Sequence, residues 1–206
     1  MSSLRNNPRA GDQQGPVTHV GDSYLDAARD CILDVGWRRT TLTEVARRAG
    51  VSRMTIYRSW SDMQTLLGDL MTREWTGVIQ AAVAAEDPGL GAVERMVEGI
   101  VGTVRQLRDN ELFLRIIELD PELILPYVLS RRGRSQELIL AITADAIRAG
   151  QATGDVRDGN PVALARGLLL AAHGFVLSAH TMVDDEVSEA ELDAELATLL
   201  TRTLQP

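Results

Sequence analysis

Within six residues, Arg53 to Arg58, the chain sets out Arg53, Met54, Thr55, Tyr57 and Arg58, and Thr41 and Thr43 lie a short way upstream. These groups suit recognition of a duplex better than bond-breaking. A guanidinium has the planar fork that pairs with O6 and N7 of guanine, and a good bidentate pair is worth about 1–3 kcal/mol of discrimination. Met54 and the Thr55 methyl are apolar partners for a thymine methyl. The hydroxyls of Thr41, Thr43 and Tyr57 and the Arg58 guanidinium suit phosphate oxygens, which fix register without reading sequence.

The elements that must position these groups are two short helices. Thr41 stands three residues before Glu44, a capping-box spacing that opens a helix. Val45 and Ala46 face inward from it, and Arg47 and Arg48 face out. Ala49-Gly50-Val51 supplies a turn, with Gly50 tolerating the left-handed backbone that ends a helix. Ser52 caps the second helix, whose buried residue is Ile56. Two short helices across a glycine turn, the second carrying Arg, Thr and Tyr outward, form a helix-turn-helix pattern. Asp22 is the expected cap of a bracing helix that runs to about Val35, with Leu25, Ala28, Ile32 and Leu33 or Val35 inward. Trp60, Ile56, Val45 and Leu66 are expected core.

The run TTLTEVARRAGVSRMTIYRSWSDMQTLL, with CILDVGW before it, resembles the DNA-binding domain of the TetR family of repressors. The family pattern falls on Gly36-Trp37, Thr40-Thr41, Val45-Ala46, Ala49 to Ser52, Tyr57, Trp60 and Leu66. The resemblance covers about the first third of the chain; the remainder fits in length and helicity. It implies an all-α fold with a helix-turn-helix head at 22–67 and a larger ligand-binding and dimerisation body at 68–206, about nine helices in all. It also implies a phosphate contact at Tyr57. Two positions depart from the pattern. Met63 stands where the family usually has a phosphate-binding Lys, and Trp60 stands where Phe is usual, which reads as a packing swap.

A net charge of −8 over 206 residues looks unsuited to DNA until it is mapped. From Gly36 to Trp60 there are six arginines against one glutamate, and the acidity gathers at 184–195. Charges close to phosphate govern counterion release, so their distribution counts for more than the total. Lysine is absent throughout. The single cysteine, Cys31, excludes an internal disulfide and a Cys-rich zinc site, and reads as a buried small hydrophobe. Residues 1–21 are polar and Gly/Pro-containing, and read as a disordered arm in which Arg5 and Arg9 are minor-groove candidates. No apolar run looks long enough to span a bilayer and no signal-peptide core is visible, so a cytoplasmic protein without membrane contact is expected.

Downstream, Ser61 and Gln64 suggest a capping box opening a long helix to about Ala85, roughly 36 Å at 1.5 Å per residue. Asp87-Pro88, Asp120-Pro121 and Asn160-Pro161 each place a capping side chain before a helix-opening proline. With Asn110 and Ser188 they imply helices over about 88–108, 110–118, 121–149 (interrupted near Pro126), 161–182 and 189–204. The last two look like a homodimer interface. Small residues including Gly167, Ala171 and Gly174 allow close approach, and Leu192, Leu196, Leu199 or Leu200, and Thr203 form a stripe. The TetR resemblance implies a small-molecule effector in the body. Residues at apolar helical spacing, Trp75, Ile79, Met96, Ile100, Phe113, Ile117, Tyr127 and His173, are candidate wall residues, and such a lining suits a hydrophobic effector.

No enzyme constellation stands out. His173 and His180 are about 10 Å apart along a helix, too far to share a metal without further ligands, and no HExxH, GxSxG or phosphate-loop pattern occurs. No cofactor and no metal site are expected. The expected function is a DNA-binding transcriptional regulator, most simply a repressor released from a palindromic double-stranded operator by an effector. The alternative is a helical ligand-binding or scaffold protein that has lost specific DNA binding. A small enzyme acting through His173 or His180 is the third reading.

Overall fold

The computed structural model describes residues 20–85 and 87–206. Residues 1–19 of the expected arm, with Arg5, Arg9 and His19, lie outside them, and its last two residues, Val20 and Gly21, belong to the first helix. The described residues form helices and no strand. The helices are α1 (Val20–Val35), α2 (Leu42–Arg48), α3 (Arg53–Ser59), α4 (Met63–Ala84), α5 (Ala92–Arg108), α6 (Glu111–Leu119), the single turn α7 (Leu125–Leu129), α8 (Arg134–Thr153), α9 (Pro161–Ser178) and α10 (Glu189–Leu204). Short 3₁₀ turns lie at Trp37–Arg39, Pro121–Leu123 and Ala179–Thr181.

Two apolar cores organise the chain. The first joins Ala28 and Ile32 of α1, Val45 of α2, Ile56 of α3, and Leu66 and Leu70 of α4 to Leu112 and Ile116 of α6. Full burial of a side chain of this size contributes about 1.5–3 kcal/mol. The head is therefore closed from below by two side chains of the body. The second core gathers α5, α8, α9 and α10 around Val104, Ile147, Leu168, Leu196 and Leu200. Beside it Asp193 of α10 is buried, accepting from Arg105 Nε and Arg108 Nη2 at 2.6 Å each.

Polar contacts tie head to body. Asp120 is 3% exposed. It accepts from the Trp37 backbone N–H at 2.9 Å and pairs with Arg38 at 3.3 Å. Glu122 takes the same guanidinium at 2.6 Å. On the other side, Arg73 of α4 pairs with Asp26 of α1 at 2.8 Å and donates to the Asp22 carbonyl.

Several helix boundaries differ from the sequence expectations. Asp22 sits in the first turn of α1, which already begins at Val20. Thr41 caps α2, but Glu44 does not reach back to it; its carboxylate takes Arg47 at 2.6 and 2.9 Å. Helix α4 is capped by Asp62 in place of Ser61, through Thr65 N at 2.7 Å, because the longer, charged side chain reaches the open N–H. Asp87 closes a local turn onto Gly89 N, so α5 starts four residues later than expected. Asp120 is drawn to Trp37 and caps nothing, and residues 121–149 split into a 3₁₀ turn, α7 and α8. Asn110, Asn160 and Ser188 cap as expected. On α10 the inward stripe is Asp193, Leu196, Leu200 and Leu204, leaving Leu199 and Thr203 exposed.

The segment Pro161–Thr181 is, against expectation, long and apolar enough to cross a membrane by length and composition, at a mean hydropathy of 1.7. Leu164, Ala165, Leu168 and Ala172 pack one face of it into the second core, and Leu170 on the other face is 71% exposed.

Candidate functional site

Helices α2 and α3 present one continuous polar surface. Gly50, at φ +69°, makes the turn between them, and Val51 N closes it on Ala46 O at 3.0 Å. Ser52 caps α3 through Thr55 N at 3.2 Å. Ile56 is fully buried and fixes the rotation of the helix about its axis. That rotation leaves Arg53, Met54, Tyr57 and Arg58 outward, with Met54 72% and Tyr57 49% exposed. Exposing a methionine and a tyrosine that the adjacent core could take up costs hydrophobic stabilisation, and a surface that meets a partner recovers it.

The arginines of the head divide into two groups. Arg47 is held by Glu44, and Arg48 by Asp34 at 2.6 Å. Arg39 donates to the Val35 carbonyl at 2.8 Å, and Arg38 is engaged by Glu122 and Asp120. Arg53 and Arg58 form no ion pair or hydrogen bond among the described residues, so both guanidiniums on α3 keep their full donor sets. Thr55 Oγ1 lies 2.9 Å from Ser52 Oγ, Thr43 is half-buried, and Thr41 uses a lone pair on Glu44 N while its hydroxyl proton stays available.

Below the head lies a cavity of about 580 Å³ between α4, α5, α6, α8 and α9, within the range of small-molecule sites. Trp75, Ile79, Ile100, Phe113, Tyr127 and His173 line it. Met96 and Ile117 of the expected set do not; Met96 packs on the second core, one helix face away. Trp75 and Phe113 meet edge to face at 5.4 Å. His173 Nε2 lies 3.2 Å from Gln136 Nε2. Gln136 Oε1 accepts from Gly133 N at 2.8 Å, so its amide N–H groups face Tyr127 O and His173, and His173 Nε2 is the acceptor. Burial pushes the His173 pKa below its ordinary value, which agrees with a neutral ring.

The cavity rim was not legible in the sequence reading. It carries Arg131, Arg132 and Arg134 around Gly133. The signal was the run Arg-Arg-Gly-Arg, which the expected helix over 121–149 placed mid-helix; it ends the connection between α7 and α8 and supplies the first residue of α8. Arg134 pairs with Asp69 of α4, and Asp69 accepts at its other oxygen from Trp60 Nε1 at 2.8 Å. Burial raises the Asp69 pKa, and the hydrogen bonds from Arg134 and Trp60 outweigh it, holding the carboxyl below its usual range.

Residues 25–70 match the family described as "Bacterial regulatory proteins, tetR family". Over 177 residues, 86% of this chain and 90% of the other, the sequence is 34% identical to the uncharacterised HTH-type transcriptional regulator Mb2274c of Mycobacterium bovis. The chain belongs to the TetR family. It is a helix-turn-helix transcriptional regulator. Its fold is similar to that of the fatty acid degradation regulator FadR from Bacillus halodurans, at 16% identity and a TM-score of 0.66, covering 92% of this chain and 97% of that one. A tetR family transcription regulator from Shewanella sp. PV-4 superposes with a TM-score of 0.63 at 18% identity, covering 92% and 100%.

Within the TetR frame the two departures acquire physical content. Met63, at the position of the usual Lys, opens α4 half-buried against the head core. Trp60, at the position of the usual Phe, is 6% exposed and packs edge to face on Tyr24 at 6.2 Å. The indole also adds what a phenyl ring lacks: an N–H, spent on Asp69.

Proposed function

We propose that the protein is a homodimeric repressor that binds a palindromic operator through paired α3 helices and leaves it when an effector fills the cavity. The division into a head at 22–67 and an effector-binding, dimerising body at 68–206 is part of this reading. The observation that carries it is the surface of α3, where two uncompensated guanidiniums, an exposed methionine and an exposed tyrosine flank one fully buried isoleucine. Arg53 reads guanine; Met54 and Thr55 meet thymine methyls; Thr41, Thr43, Tyr57 and Arg58 hold phosphates. A second copy is required because one short helix reads only a half-site.

The outer face of α9 supports the dimer. Leu170 is 71% exposed, Gly167 and Gly174 are open beside it, and Leu199 of α10 is 52% exposed. Two such faces paired about a two-fold axis bury each other as a four-helix bundle. The cavity wall is mostly apolar, with the Gln136–His173 pair, several threonines such as Thr72 and Thr103, and the rim as its polar groups, which supports a small hydrophobic effector. The reading places the protein in the cytoplasm with the DNA, and it includes no catalytic role.

Selection from a random duplex library at near-physiological salt tests the proposal. An enriched palindrome bound with nanomolar affinity is expected. Binding without enrichment, lost as salt rises, would make the head a non-specific binder and overturn the operator reading.

A further inference from the structure

The cavity is mostly apolar in its walls, with scattered neutral polar groups, and cationic on its rim. In a chain of net charge −8, three of the 21 basic residues stand together on its rim, at Arg131, Arg132 and Arg134. Glu122 is the one carboxylate among the lining residues, and it is engaged by Arg38. The three guanidiniums are held differently. Arg132 takes Glu137 at 2.6 Å, and Arg134 takes Asp69. Arg131 lies over the Tyr127 ring, 5.0 Å from its centroid, with its Nη2 3.4 Å from the Tyr127 hydroxyl, and has no carboxylate partner among the described residues. Gly133, the N-cap of α8, has no side chain to accept from the first-turn N–H groups, so the positive end of that helix opens on the same rim.

We propose that the effector is an amphipathic anion, an apolar chain with a carboxylate or phosphate head, and that the head draws Arg134 away from Asp69 and so releases Trp60 at the end of α3. This assignment rests on reading the cavity as the effector site. A methylene occupies about as much space as a water, about 30 Å³, so the cavity accepts a chain of up to roughly 18 carbons. Arg131 meets the head first because it gives up no carboxylate to do so.

Arg134 is the lever. It is two-thirds exposed and its partner Asp69 more than a third exposed. Such a pair exchanges partners at small cost. Asp69 holds α3 through a single hydrogen bond, from an indole that sits at the C-cap of that helix. Without Arg134, the Asp69 carboxylate is freer to move to water, and the Trp60 indole N–H loses its partner on α4 while the ring stays packed in the head core. The shift follows only because the ligand binds the released arrangement better than the tethered one.

Calorimetry on the full-length protein without DNA, comparing dodecanoate, dodecyl phosphate and dodecan-1-ol, tests the head group. At least one anion is expected to bind ten-fold or more tighter than the alcohol, and the two anions separate a carboxylate head from a phosphate head. Equal affinity of alcohol and anions, or binding by none of the three, overturns the assignment. Arg131→Gln and Arg134→Gln should each weaken the preferred anion ten-fold or more and leave alcohol binding within two-fold. Arg131→Lys and Arg134→Lys, which keep the charge, should recover part of the loss.

The relay has its own readout. With three tryptophans in the chain, the indole N–H resonances are few enough to assign. The Trp60 resonance should move on adding the anion and move the same way in Arg134→Gln without ligand. An unmoved Trp60 with the cavity filled overturns the lever. Because no measurement here contains DNA, failure of the ligand assignment is distinguishable from failure to find an operator.

Discussion

Arg53 and Tyr57 are separated by one helical turn and both are open to solvent, and the proposed reading gives them different tasks. Arg53→Ala should relax base preference at one or two operator positions, corresponding to about 1–3 kcal/mol of discrimination. Operator selection with wild type and variant side by side would show it, and an unchanged preference would remove Arg53 from the readout. Tyr57→Phe deletes one hydroxyl and should weaken specific and non-specific duplexes alike. A loss confined to the specific site, in competition titrations, would contradict a phosphate contact. His173 carries a pH signature. Its pKa is lowered by burial, so the unfolded chain takes up a proton first as pH falls below the ordinary histidine value. Stability contributed by the neutral ring is therefore complete above about pH 6.5 and is lost as pH drops toward the lower folded value. The melting temperature should fall between pH 7 and 5.5, and by less in His173→Asn.

At the scale of elements, some local signals were legible and distant ones were not. Asn110, Asn160 and Ser188 cap helices because each needs only an N–H two or three residues away, within its own sequence neighbourhood. Asp120 carries the same Asx-Pro signature as Asn160, yet its carboxylate is claimed by Trp37, 83 residues earlier in the chain. No local rule distinguishes the two. Trp60 shows the same limit: its place in the core could be read from its apolar ring, but not its bond to Asp69, which depends on where α4 turns that carboxylate. Six of the eight candidate wall residues line the cavity and Met96 and Ile117 do not, whereas its arginine rim required knowing that the chain breaks at Gly133. Pairing between α5 and α10 offers a direct measure of such a tertiary polar contact. Asp193 and Arg108 are both more than nine-tenths buried. Asp193→Ala should lower stability by about 3 kcal/mol, since it strands Arg108 without its carboxylate. Denaturant unfolding would read the change, and a loss under 1 kcal/mol would mean that water or Glu189 compensates.

For the whole molecule, the proposed two-fold assembly would decide whether two half-sites are read together. Leu170→Arg places a charge at the centre of the outer face of α9, where pairing would bury it. The expected result is a monomer in sedimentation at micromolar concentration with an unchanged helical spectrum and a loss of operator affinity. A variant that stays dimeric would move the interface elsewhere.

Leu112 and Ile116 bear on how far the regulator is modular. Modularity would mean that the reading head could be cut off and joined to a different sensor. In this chain, residues 22–67 taken alone would leave an open hole where those two side chains sit. A transplant of the reading specificity should therefore succeed only when the recipient supplies matching volume from its own sixth helix, or when α6 travels with the graft. Exchanging only the outward residues of α3 avoids the problem, because that surface shares nothing with the seam beneath it.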